Sequence, residues 1–302
     1  MSGLITAELL RRLEQIQLLS VRRAKSSMKG ERRSRARGLS VEFADHRNYV
    51  SGDDLRYLDW NLYGRLDRLF LKLYEEEREL PVRIFLDASA SMAFGEPAKF
   101  ALARQLAAAV GYVALCGFDR VAVNVFPEAT GEGANRETAV RGALRAVRGK
   151  RAAMAYFQNL AALTAGGVAD FNGALKRGAM EARQTGVAIV LGDFLDPAGY
   201  EAGLTALIGR GFQVHAVQIL APEELRPTSF GDLRLVDSET GAEQEVTFGK
   251  FRLLDYQQSV ANYVQRLREY CRGRGVQFFS VSSATDLNEF LLKQMRAQEV
   301  WA

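Results

Sequence analysis

The chain has 302 residues, 48% of them hydrophobic and 25% charged, the proportions of an ordinary globular protein of one large domain with an appendage or two small ones. Those proportions exclude a mostly disordered chain, a collagen and a coiled-coil rod. Forty basic against thirty-six acidic residues leave a net +4, too little by itself to imply nucleic acid. Two distant cysteines, Cys116 and Cys271, with no CxxC spacing argue against a disulfide scaffold or a zinc site, and two histidines leave little room for His-based catalysis.

The longest uncharged apolar stretch, Leu106 to Phe118, is thirteen residues, short of the roughly 20 that cross a bilayer. The opening MSGLITAELLRRLEQ is amphipathic and carries acids, unlike a signal peptide. The expectation is a cytoplasmic protein without a membrane span.

Residues 1–38 open with a helical pattern (Leu9, Leu10, Leu13, Ile16, Leu19) and run into a basic arm. From Arg22 to Gly38 there are eight basic residues and one acid, Glu31. A solvated arm and a docking surface for an acidic partner or nucleic acid both fit. Arg22, Arg23, Arg32 and Arg33 would make the contact in the second case. No aromatic is interleaved there, which weakens base stacking.

Residues 39–80 form an α+β segment of reversed charge, ten acids and six bases between Glu42 and Glu79. A strand is predicted near Val41–Phe43 and another around Leu69–Tyr74. Between them, Ser51 with Asp54 predicts a capped short helix carrying Leu55, Leu58 and Trp60. Trp60 packs inward on that spacing; on the other reading it anchors a partner, with Tyr63 beside it. Asp53, Asp54, Asp59 and Glu75–Glu77 cap, solvate and pair with neighbouring arginines, or form a specificity surface. His46 is structural or functional.

From residue 81 to 302 strand and helix alternate. Apolar runs at Val82–Leu86, Val121–Phe126, Val187–Leu191, Val214–Leu220 and Val276–Val281 lack clean alternation, as strands buried on both faces do. Helices are predicted through Leu102–Val113, Val140–Val147, Phe171–Ala182 and Val260–Cys271. On this pattern Cys271 belongs to the core, and His215 is a core or edge residue. A β-hairpin insertion is predicted near 229–249. The fold class is therefore α/β, a doubly wound, mostly parallel sheet with helices on both faces, preceded by a small α+β segment.

Open parallel sheets bind ligands beyond the carboxyl ends of their strands. The most polar such end follows Val82–Leu86 and reads Asp87-Ala88-Ser89-Ala90-Ser91. One carboxylate and two hydroxyls from one bend suit a hard divalent cation such as Mg²⁺. Equally, the serines serve as caps for the next helix.

The D-A-S-A-S-M loop resembles the metal-ion-dependent adhesion site of von Willebrand factor type A domains. The longer run EFADHRNYVSGDDLRYLDWNLYGRLDRLFLKLYEEERELPVRIFLDASASM resembles the signature of the bacterial domain-of-unknown-function 58 family. These are von Willebrand A-like proteins associated with MoxR-type AAA+ ATPases. The resemblance implies an interaction role, an adaptor for such an ATPase that receives an acidic partner side chain at the strand-end site. It also implies that Asp87, Ser89 and Ser91 form the first adhesion motif and Asp193, in GVAIVLGDF, the third. The second motif departs from the pattern: Ala169 stands where a threonine is expected, with Asp170 or Asn172 as substitutes. Mg²⁺ is the implied cofactor, and its loss through Ala169 is the alternative.

Two other functions compete. A hydrolase would use Asp87 or a serine of the same loop, but a haloacid-dehalogenase-type site needs an acid where Ser89 stands, and no G-x-S-x-G, P-loop or dinucleotide fingerprint occurs. Nucleic-acid binding would rest on the basic arm alone. The expected protein is not an enzyme.

Overall fold

The computed structural model describes residues 4–16, 18, 41–76, 80–127, 143–227, 231–239, 241–298 and 300–301. They fall into two compact units, residues 20–79 and residues 1–19 with 80–302. The basic residues Arg22, Arg23, Arg32 and Arg33 lie outside the described residues.

In the smaller unit, β1 (Val41–Asn48) and β2 (Phe70–Glu76) pair antiparallel with a bulge between Phe43 and Asp45. The single helix expected from Leu55 to Trp60 is instead two pieces. Asp54 caps a 3₁₀ turn, Leu55–Tyr57, and Asp59 caps a new helix, Trp60–Leu66. Leu58 falls in the break, bridges to Leu71 and is buried. Trp60, at the head of the second piece, no longer shares a face with Leu58 and is 64% exposed, so it does not pack inward as its spacing suggests.

The larger unit is a six-stranded sheet. Its strands are β3 (Pro81–Asp87), β4 (Arg120–Phe126), β5 (Ala143–Arg148), β6 (Val187–Gly192), β7 (Gln213–Leu220) and β10 (Gln277–Ser282). The order is β10-β7-β6-β3-β4-β5, all parallel except the antiparallel edge strand β5. The hairpin strands β8 (Gly231–Val236) and β9 (Glu243–Phe248) pair only with each other among the described residues.

Successive residues point to opposite faces of a strand, and here both faces are covered. Ile84, Leu86, Val123, Ile189 and Ile219 share one core with α1 (Ala7–Leu13), α2 (Lys99–Cys116) and α3 (Ala153–Ala161). Phe85, Phe126, Ala188, Val190 and Ala216 face the other core. It is built from α4 (Phe171–Glu181), α5 (Glu201–Arg210) and α6 (Lys250–Arg272), with Cys271 fully buried in it. This doubly covered sheet explains why the strands read as unbroken apolar runs.

Two local expectations change. The helix through Val140–Val147 is a strand over Ala143–Arg148; Val140 lies outside the described residues. Val147 and Leu144 satisfy either period, and pairing with Val121 and Val123 at the sheet edge decides for the strand. Residues 4–16, grouped by composition with the basic arm, supply Leu9 and Leu13 to the first core instead. Separately, α2 is long and apolar enough by composition to cross a membrane, but 78% of it is buried within the fold.

Candidate functional site

In the strand order the chain runs from β3 outward to β4 on one side and returns to β6 on the other. The gap between the ends of β3 and β6 is therefore the switch point where ligands of open α/β sheets sit. Asp87 ends β3, and Asp193 follows the last residue of β6. Gly192 makes their approach possible, because a Cβ there would lie 2.9 Å from the Asp87 Cβ.

The D-x-S-x-S bend is held by backbone as well as side chains. Ser89 N–H donates to Asp87 Oδ1 at 2.9 Å. Ala90 N–H donates to the Gly167 carbonyl (2.9 Å) and Gly166 N–H to the Ala88 carbonyl (2.7 Å), lacing the bend to the loop before α4. The hydroxyls of Ser89 and Ser91 lie 2.9 Å apart, and Ser91 Oγ donates to Asp193 Oδ2 at 2.8 Å. Ser89 does not cap the following 3₁₀ turn with its side chain. Asp193 is fixed further by Leu195 N–H on Oδ1 and by Gln218 Nε2 on its carbonyl. Phe194, next in the chain, adopts φ +60°, an uncommon conformation for a bulky residue that turns the chain sharply behind the carboxylate.

The structure thus brings Asp87, Ser89, Ser91 and Asp193 together and leaves Asp170 out. Asp170 caps α4 through Gly173 N–H (2.8 Å), and its other oxygen faces Arg177 (3.3 Å). Asn172 is likewise occupied, with the Ala198 and Gly199 carbonyls and Gly203 N–H. A helix start consumes these side chains because its first N–H groups have no partner within the helix.

Sequence reasoning missed Lys99. This side chain is fully buried at the head of α2, with Nζ 2.8 Å from Asp193 Oδ2 and 2.6 Å from Glu224 Oε1. Burial opposes its charge, but Asp193 and Glu224 outweigh that and hold its pKa above the usual value. A signal was present: a lysine heading an apolar helix sits at the end whose dipole repels cations, so it needs carboxylates from elsewhere. Glu224 comes from the helical turn Pro222–Leu225 after β7, too distant in sequence to anticipate.

Among the described residues no basic side chain forms an ion pair with Asp87. Burial, and next the charge of Asp193, push its carboxyl up to about 7. Ser89, Ser91, Asp87 and Asp193 are the groups here that could take a cation. Among the described residues no group of three or more His, Cys, Asp or Glu side chains is arranged to hold one.

The histidines stand elsewhere. His215 is fully buried within β7, and burial lowers its pKa to about 4, so it is neutral in the core. His46 Nε2 lies 2.9 Å from Asp59 Oδ2 in the smaller unit. Trp60, in that same unit, is exposed and edge-on to Tyr63 at 6.3 Å.

An α/β protein with a polar rim of hydroxyls and carboxylates at its sheet's switch point is the class that fold and site define. The chain belongs to the family described as "Protein of unknown function DUF58", which matches residues 45–265. Uncharacterized proteins of Mycobacterium tuberculosis and Mycobacterium bovis are each 28% identical over 82% of this chain and 77% of their own length. Two solved structures overlap 73% of the chain. One is a conserved hypothetical protein, BatB, from Bacteroides thetaiotaomicron (15% identity, 97% of its chain, TM-score 0.40). The other is an aerotolerance-related membrane protein from Bacteroides fragilis (16% identity, 98% of its chain, TM-score 0.39).

Proposed function

We propose that this chain is a non-enzymatic protein–protein interaction module whose strand-end rim receives an acidic side chain of a partner, in the manner of a von Willebrand A-like adhesion site. The observation that carries the reading is the convergence of Ser89, Ser91 and Asp193 at the switch point beside Asp87, a buried acid with no ion-pair partner among the described residues.

Mg²⁺ fits this donor set. That ion takes hard oxygen ligands, and the rim offers two hydroxyls and two carboxylates. Ser89 and Ser91 would hold the ion, with Asp87 and Asp193 balancing its charge. Bound there, it would supply a Lewis-acidic attachment point for a carboxylate. Ala169 contributes no oxygen, and Lys99 already offsets part of the charge of Asp193, so both favour a weaker site than one with the full pattern.

A hydrolytic role finds less support. Ser91 is bonded to Asp193 rather than to an imidazole, and His215 is buried within a strand. The family resemblance nominates a MoxR-type AAA+ ATPase as the partner, with this chain as its adaptor and the exposed Trp60 as a second contact. Capture of the cognate ATPase by immobilised protein tests the reading. Ser91→Ala and Asp87→Asn should each reduce capture about tenfold or more, the effect of losing one charge-assisted contact, and EDTA should do the same to the wild type. Undiminished capture by both folded variants removes this rim from the function.

A further inference from the structure

The hairpin β8–β9 packs little against the rest of its unit: Arg234 to Ser238 are exposed, as are Glu243 to Glu245. It is also acidic, with five acids (Asp232, Asp237, Glu239, Glu243, Glu245) against Arg234 between Gly231 and Phe248. A two-stranded ribbon with so little buried surface is marginally stable alone and readily changes position.

Its tip is the exception. Asp237 Oδ1 accepts Glu239 N–H at 2.9 Å, and Gly241 N–H returns to the Asp237 carbonyl at 2.9 Å, shaping a turn that presents Glu239. Glu239 is half-buried where its strand neighbours are exposed. Its Oε2 lies 3.4 Å from the backbone nitrogen of Ala169, which donates to it. Ala169 follows the 166–167 loop that is laced to the D-x-S-x-S bend, and Glu239 is near enough to act electrostatically on Asp87.

We propose that Glu239 is a built-in carboxylate ligand of the rim, carried on a tethered acidic arm, so that the site is closed by the chain's own hairpin until an acidic partner displaces it. The inference rests on the proposed function, since it gives Glu239 the place assigned there to the partner's acid. Like charges make the closed position unfavourable beside Asp87 and Asp193 alone. A divalent cation at the serine hydroxyls reverses that sign, so closure is linked to the cation.

A distance measurement between spin labels tests this without any partner. Labels go on Leu235→Cys in the arm and Met180→Cys on α4, both exposed, with Cys116 replaced by serine and the buried Cys271 left alone. With Mg²⁺ the distribution should be narrow. In EDTA, or with Glu239→Gln, it should broaden toward longer distances. A Glu239→Gln arm that stays narrow overturns the proposal, and a wild-type arm indifferent to EDTA overturns its link to the cation. The ATPase capture assay separates this inference from the function it rests on. If the arm is closed about nine-tenths of the time, Glu239→Gln should raise apparent affinity about tenfold. An arm that closes as described while capture ignores Ser91→Ala and Asp87→Asn would sink the partner site and leave the self-ligand standing.

Discussion

Two aspartates, one in each unit, show how differently this protein treats the same side chain. Asp59 in the smaller unit receives His46, the Leu62 and Asn61 amides and the charge of Lys72, and its pKa is held down to about 2, with the His46 hydrogen bond the largest cause. Asp87 in the larger unit is buried beside another acid, and its pKa goes the other way. Other charges in the smaller unit are paired locally as well: Arg47 meets Asp53 through two bonds of 2.9 and 2.7 Å, and Arg56 meets Asp54. At the rim, among the described residues, one lysine, Lys99, is shared between Asp193 and Glu224. A fully paired acid is a structural feature. A buried acid without a counter-charge is a demand that something else must meet, and this contrast directs attention to the rim.

The sharpest way to break the contrast is to remove the rim's cation. Lys99→Met leaves Asp193 and Glu224 facing each other without the ammonium, and loss of one partner from a buried pair costs about 3–5 kcal/mol. Chemical denaturation should show that loss at pH 7, and a smaller one when Glu224→Gln accompanies it.

Stability should also depend on pH. The raised carboxyl of Asp87 binds more protons in the folded state than in the unfolded one between the ordinary aspartate range and about 7. Its contribution to stability is therefore present at the acid end of that window and lost as pH rises through it. In EDTA, the wild-type melting temperature should fall relative to Asp87→Asn as pH goes from about 5 to about 8, the window the raised carboxyl spans. A constant difference between the two would mean that Asp87 is not the group responsible.

The smallest effect belongs to the smaller unit. Arg47→Ala removes a partly exposed ion pair with Asp53 and should cost little stability. Under the same denaturation, a loss as large as that of Lys99→Met would erase the distinction between the units.

Much of the architecture was legible in the residues. Apolar runs such as Val187–Leu191 announce strands covered on both faces, and the loop from Asp87 to Ser91 and the acid Asp193 stand where a parallel sheet keeps its ligands. These are local signals, because burial on both faces and a polar strand end each leave their mark within a few consecutive residues. The antiparallel edge strand β5, the exposure of Trp60, the helix cap that occupies Asp170, and the arrival of Glu224 beside Lys99 left no such mark. A sequence of ambiguous period takes its form from the strand it pairs with, and a side chain's partner is chosen by three-dimensional proximity among groups scores of residues apart. Composition and periodicity determined the layered sheet and the place of its rim. Tertiary packing alone decided which charges meet there, because electrostatic balance depends on distances between groups far apart in the chain, and those are set only when the elements pack.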